Sequence, residues 1–459
     1  MTSYVLRRAA TAPGVLSDLA IVDGRFATRA PGDAEIVDLG GRPTLPGLCD
    51  HHIHVMAQAA AWRSVDCSPA ALADGLGLAA TLRAARQRQP RGWLRGVAYD
   101  VTASGSLDRV VLDTIDVGPV RIQDRTGTLW MLDTAALAET LPASDLDRPD
   151  GVERDASGSP TGVLRRLDGW LRSRLAPDDP DLAEVGRWLA ARGVTSLTDA
   201  TATNGPDELA LLATSGLPQK ITAMTAAASW PAVEGVARGP VKIVLDEADL
   251  PDLDTLGRRV DDAHGRGRSV AFHCVDSGSL MLALACDIGP GDRIEHASLV
   301  SEDHLVLLAR CGVTVVVQPG LVSTRGDRYL AETDRRDHPS LHRLGSLLAA
   351  GIPVRVSSDA PFGPIDPWTA VAAAVDRTTA SGVAFGPGEA IDPGTALGLM
   401  TTGATNARLV ERGPVGGCAD LLVLDDDWDS LGRHPSVALT MVDGAPVYSV
   451  LDTLRVNRI

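Results

Sequence analysis

Short apolar, β-branched runs recur along this chain, and helix-like stretches separate them. Eight such runs lie beyond the first 40 residues: 45–54, 194–200, 220–225, 241–246, 269–275, 293–298, 313–319 and 353–359. Strand and helix patterns in alternation predict parallel βαβ units. From the second run onward the spacing is about 20–45 residues, enough for one strand and one crossover helix. Eight units predict an α/β fold with a TIM-like (β/α)8 barrel.

Two parts stand outside that count. The stretch 62–185 is too long for one crossover and contains the strand-like GWLRGVAYD and PVRIQD, then a Gly/Asp/Ser-rich turn, DGVERDASGSPTG. It predicts an α/β insertion after the first barrel strand. Residues 3–40 hold short strands around a turn at Asp23–Arg25, and 415–450 hold ADLLVLD and VALTMVDGAPVYSV around Asp443-Gly444. Asp-Gly between apolar runs marks a hairpin, and chain termini often meet. The predicted domains are a small β-sandwich domain of 1–43 plus 410–459, a barrel over 44–409, and the insertion over 62–185 within it.

Composition narrows the partners. The chain has 459 residues, 44% of them apolar, and a formal net charge of −16. That acidity repels phosphate backbones and anionic lipid, so neither nucleic acid nor a membrane surface is expected as a partner. No apolar stretch nears the roughly 18 residues of a membrane span. MTSYVLRRAATAPG lacks the apolar core of a signal peptide. The six cysteines form no CxxC pair. They read as free thiols of a reducing cytoplasm. Of 43 basic residues only Lys220 and Lys242 are lysine.

Candidate chemistry collects at the C-terminal ends of the predicted strands. The first ends Pro46-Gly47-Leu48-Cys49-Asp50-His51-His52-Ile53-His54. Residues i and i+2 of a strand share a face, so His52 and His54 point together into the barrel mouth, and His51 is set aside by parity. Two imidazoles aimed at one point suit a borderline metal such as zinc. Lys242, His273, His296 and Asp359 end or nearly end four later strands. Singly, a strand His is ordinarily a hydrogen-bonded core residue and a terminal Asp a cap; it is their joint order that points to a site.

At these residues the chain resembles the amidohydrolase superfamily of metal-dependent hydrolases. Within it, the likeness is to the amidohydrolase family 3 or YtcJ-like group, which includes N-substituted formamide deformylases. PGLCDHHIH, VKIVLD, AFHC, RIEHAS, VQP, SSDAPFGPIDPW, TTGATNA, GCADLLVLD and SGSPTGVL carry the likeness in order. The resemblance implies two divalent metal ions, zinc by first choice. His52, His54 and Asp359 would hold one and His273 and His296 the other, with carboxylated Lys242 bridging. It further implies attack by a metal-activated hydroxide on a carbon–nitrogen bond of a small-molecule amide, N-acyl compound or cyclic amide, with Asp359 as the proton carrier. A buried lysine amine loses its proton and can take up carbon dioxide, which arginine cannot. A one-metal deaminase with unmodified Lys242, and a non-catalytic small-molecule-binding barrel, are the alternatives. Oligomeric state is open, a homodimer included.

The sequence departs from the group in places. Arg125-Thr126-Gly127-Thr128 lacks the histidine of an Asp-Gly-His motif, Arg166 stands for a Glu, and Asp276-Ser277 for a Gly-Asp pair. Glu295, of opposite parity to His296, is expected to pair with Arg293 or another neighbour. Asp199 and Thr225 end strands as caps or substrate contacts. The 322–336 stretch is expected as a loop whose Arg325, Arg328, Arg335 and Arg336 are solvated, or else meet a substrate carboxylate. Asp366-Pro367 predicts a helix start. Trp62, Trp93 and Trp130 are expected in the core.

Overall fold

The eight apolar runs form the barrel in the computed structural model, which describes residues 2–73, 77–141, 149–175, 180–401, 415–452 and 454. The strands are β1 (Leu48–Ile53), β2 (Val194–Asp199), β3 (Lys220–Thr225), β4 (Val236–Val244), β5 (Val270–Cys274), β6 (Arg293–His296), β7 (Thr314–Val317) and β8 (Val354–Val356). They pair in parallel in that order. Every residue of β1 and of β2 is buried, as expected for strands covered on both faces. Beyond the end of β8 the ring joins up: Asp359 N–H donates to His52 O at 2.8 Å and His54 N–H to Ala360 O at 2.9 Å. One layer below, Asp50 accepts from Ser358 N–H at 3.1 Å and Ser358 Oγ–H at 2.5 Å.

The expected pattern needs three corrections. β4 begins at Val236, five residues ahead of the sequence estimate, and no helix intervenes between β3 and β4. The supposed loop over 322–336 is mostly the helix Gly320–Glu332. It was hidden because its start, Gly-Leu-Val-Ser-Thr, carries poor helix formers. Trp62 is 37% exposed and is not a core residue. The helix Pro367–Asp376 does start as expected, Asp366 Oδ1 accepting the Trp368 N–H at 3.0 Å.

Strand β1 is irregular against β2. Asp50 pairs with Leu197 and Ile53 with Asp199, three residues of β1 spanning two of β2. Such a bulge shifts the inside–outside alternation by one. At the entry to β1, a Cβ added to Gly47 would lie 2.2 Å from Thr195 Oγ1. Gly47→Ala is therefore expected to lower stability by about 1–3 kcal/mol, read as a lower urea midpoint with unchanged slope.

The chain divides by its contacts into two units, Met1–Val55 with Leu182–Ile459, and Met56–Asp181. In the first, beside the barrel, lie two four-stranded sheets. One holds Tyr4–Ala12, Val15–Val22, Arg25–Ala27 and Glu35–Asp38; the other Thr44–Pro46, Leu421–Leu424, Val437–Val442 and Ala445–Ser449. Leu6, Ile21 and Val37 of one share a core with Leu421, Val423 and Met441 of the other. Lys220, at the start of β3, pairs there with Asp420 at 2.6 Å and Asp443 at 2.7 Å. The barrel–sheet boundary expected at 409–410, and TTGATNA beyond Thr401, lie outside the described residues.

The second unit is built on a six-stranded sheet that includes Leu94–Tyr99 and Val120–Asp124, the two runs read as strands. Trp130 is buried in its core, and Trp93 packs at the edge with Nε1–H donating to Glu139 at 2.6 Å. No helix among the described residues is long and apolar enough to cross a membrane.

Candidate metal centre

The seam between β1 and β8 brings three of the predicted residues together. His52 Nε2 lies 3.4 Å and His54 Nε2 3.3 Å from the same oxygen, Oδ1 of Asp359. One donor atom from each of the three falls within 4.8 Å of the others. The other two predicted histidines adjoin. The His296 ring centroid is 4.9 Å from that of His52 and 4.4 Å from that of His273.

Backbone geometry explains how β6 and the end of β8 reach this point. His296 has φ +72° and Asp359 +56°, both in the left-handed region. Non-glycine residues held there cost on the order of 1–3 kcal/mol and cluster at functional sites. At His296 the turn cancels strand alternation. Glu295 and His296, neighbours in sequence, both face the barrel interior: Glu295 pairs in register with His273 and touches His52 with Oε2.

The Nδ1 atoms of His52, His54 and His296 each have their own partner. His52 Nδ1 is 2.5 Å from Glu295 Oε2. A carboxylate only accepts, so Nδ1 carries the proton and Nε2 the lone pair. His54 Nδ1 is 3.2 Å from Thr201 Oγ1. Gln318 donates its amide N–H to Val316 O at 3.2 Å and to Ser357 Oγ at 3.1 Å. Its Oε1 therefore accepts from His296 Nδ1–H at 2.9 Å, leaving a lone pair on His296 Nε2. Gln318 and Glu295 were not singled out as site residues; a partner for each ring's second nitrogen is the rule at metal sites.

Lys242 lies on the inner face of β4, two register positions below the Val244–His273 pair. Its side chain is 3% exposed and Nζ has no hydrogen-bond partner, nor does the buried Nε2 of His296. Buried polar atoms left unpartnered in this way are costly unless a further group satisfies them. Burial pushes the Lys242 amine down from its ordinary pKa, against the opposing charges of Glu295 and Asp359. Burial also pushes the His52 and His273 rings well below theirs, and that of His296 down, which keeps the imidazoles neutral. For Asp359 burial acts upward, but the hydrogen bond from His54 acts against it and the pKa falls below the ordinary carboxylate value. Neutral imidazoles, an ionised carboxylate and a deprotonatable amine facing one space are a donor set fit for divalent metal.

The remaining candidates do other work. Asp199 accepts from Val55 N–H at 2.9 Å and Asn204 Nδ2–H at 2.8 Å, fixing the turn after β1. Thr225 Oγ1 accepts from Arg268 at 2.9 Å. Arg325 donates to Phe362 O, Arg328 pairs with Glu332 at 2.7 Å and Arg336 with Asp334 at 2.9 Å. Asp276 caps the helix Ser277–Leu284, accepting from Ser279 N–H at 2.8 Å. Arg125 pairs with Asp100 at 3.0 Å and, like Arg166, belongs to the second unit. His51, set aside by parity, is buried with its Nδ1 3.6 Å from Cys49 Sγ.

Comparison with known proteins gives concordant results. The model of the amidohydrolase family matches residues 35–448. An N-substituted formamide deformylase of Arthrobacter pascens is 27% identical, the match covering 91% of each chain. YtcJ of Bacillus subtilis strain 168 is 23% identical over 91% of each. In fold, the chain is similar to an uncharacterized metal-dependent hydrolase of Pyrococcus horikoshii, with TM-score 0.68 and 20% identity over 93% of this chain and 98% of that one.

Proposed function

This chain belongs to the amidohydrolase family, and from that premise we propose that it is a metal-dependent hydrolase of a carbon–nitrogen bond in an amide, N-acyl compound or cyclic amide. The observation that carries the reading is the meeting of His52 Nε2 and His54 Nε2 at one oxygen of Asp359. The similar deformylase acts, by its name, on N-substituted formamides, a substrate of this bond class.

In this reading His52, His54 and Asp359 would hold one divalent ion and His273 and His296 a second, with Lys242 as its carbamate supplying a further anionic ligand. The carbamate forms when the neutral amine adds to carbon dioxide: an N–C bond is made and a proton leaves to solvent. Bound metal supplies a Lewis acid for the carbonyl oxygen and a water acidic enough to ionise near neutral pH. Asp359 accepts the attacking water's proton and returns it to the departing nitrogen.

The test is metal counting joined to a substrate screen. Two equivalents per chain, a carbamate on Lys242, and hydrolysis of N-acyl amines or cyclic amides that a chelator abolishes are expected. One equivalent with deamination, or ligand binding indifferent to chelation, would overturn it in favour of a one-metal deaminase or a binding barrel.

Val244, beside His273 in the register, is 51% exposed, and Val275, two residues past His273, is 45% exposed, so apolar surface follows directly on this ligand. Pockets of this type are lined mainly by apolar groups, so the substrate carries an uncharged, apolar substituent. Burying a valine-sized surface is worth about 1.5–3 kcal/mol. Val244→Asp is expected to lower kcat/KM for apolar N-acyl amines by about 10–100-fold while metal content holds. An unchanged kcat/KM would place the substituent elsewhere.

A further inference from the structure

Glu295 is fully buried, and its two oxygens are shared between two partners. Arg293, two residues earlier on the same face of β6, donates through Nε to Oε1 at 2.7 Å and through Nη2 to Oε2 at 3.1 Å. The same Nη2 donates to His51 O at 2.7 Å, which ties the guanidinium to β1. Oε2 also faces His52 Nδ1 at 2.5 Å. Burial alone would raise the Glu295 pKa; the charge and hydrogen bonds of Arg293, together with its other neighbours, outweigh it and lower the pKa.

An ion pair that served only to satisfy Arg293 would need no histidine on its second oxygen. An imidazole of 1% exposure with no acceptor at Nδ1 would be free to carry its proton on either nitrogen. The chain Arg293–Glu295–His52 removes that freedom and fixes the ring plane. We propose that Glu295, clamped by Arg293, is the positioning residue of the metal centre: it holds the Nδ1–H of His52 so that the Nε2 lone pair faces a divalent cation beside Asp359. The role rests on the metal-centre reading above, but its geometry belongs to the protein alone.

Two arms test it on the full-length chain. In the first, zinc affinity is measured by chelator competition for wild type, Glu295→Gln and Glu295→Asp. Removing such a partner typically costs about 10–100-fold in metal affinity, and that loss is expected for both variants, with an altered visible spectrum when cobalt(II) replaces zinc. Glu295→Asp retains the charge facing Arg293 but withdraws the carboxylate from His52, so it carries the arm if Glu295→Gln does not fold. In the second, histidine-selective 15N labelling of the metal-free protein reports the tautomer of His52. Wild type is expected to show protonated Nδ1, and the variants a mixture of tautomers.

Wild-type affinity together with an unchanged His52 tautomer in both variants overturns the proposal. Lost thermal stability with wild-type zinc affinity in the folded protein also overturns it, because Glu295 would then serve only Arg293. A wild-type chain that binds no zinc refutes the metal-centre reading instead, and the tautomer arm still judges Glu295.

Discussion

Asparagine in place of Asp359 is expected to stop turnover while leaving metal content near that of the wild type. Asn keeps an oxygen where Oδ1 meets the Nε2 atoms of His52 and His54 at 3.4 and 3.3 Å. It also tolerates the left-handed backbone at this position, φ +56°, since Asn and Asp enter that region more readily than other side chains. The variant should therefore fold and retain the ring closure through its N–H. What it loses is the ability to take up a proton. A positioned general acid–base contributes about 10²–10⁴-fold, and a loss of at least that size is expected in kcat, with elemental analysis as the control. Full activity would remove Asp359 from proton transfer. Loss of metal together with activity would reduce it to a ligand.

Lys242→Met should have effects of opposite sign on stability and on chemistry. The wild-type side chain buries an amine whose Nζ has no hydrogen-bond partner, and a buried polar group left unsatisfied costs about 1–3 kcal/mol. Methionine has nearly the same length and no such group. The metal-free variant is expected to melt at or above the wild-type temperature. Its metal content is expected to fall from two equivalents to one, and its turnover by about 10³-fold or more, several kcal/mol of lost transition-state stabilisation. Calorimetry of the metal-free proteins and elemental analysis of the loaded ones check the two halves. A variant that keeps two equivalents refutes the bridging role of Lys242.

Much of this was legible because a parallel barrel writes its strands as continuous apolar runs, and its functional residues at their C-terminal ends. The candidates His52, His54, Lys242, His273, His296 and Asp359 were read from such positions, and the structure brings donor atoms of His52, His54 and Asp359 within 4.8 Å of one another. Where the reading failed, the alternation it assumed was broken. The bulge in β1 breaks strict alternation, although His51 is buried against Cys49 and lies outside the candidate site. Glu295 pairs with Arg293 as expected, but beside the left-handed His296 it also meets the His52 ring, which its parity did not suggest. Neither deviation has a local signature, since both residues are imposed on the backbone by the surrounding packing. The helix after β7 was missed for a related reason. Its low intrinsic propensity is overridden by burial of Leu321, Val322 and Gly326. Gln318 stood in a quoted motif, but its purpose emerges only when the His296 ring lies opposite.

The β1–β8 seam has a temporal consequence. Asp50 and Ser358, bonded just below the site, are 308 residues apart in the chain. Contacts this remote form late, because a long loop must close before they can contribute. During synthesis the paired histidines of β1 emerge early and wait, without their carboxylate, until the last strand has left the ribosome. Metal capture by the full set would then report completion of the barrel, and a chain truncated before β8 could hold its seven upstream strands and still lack the means to retain the ion.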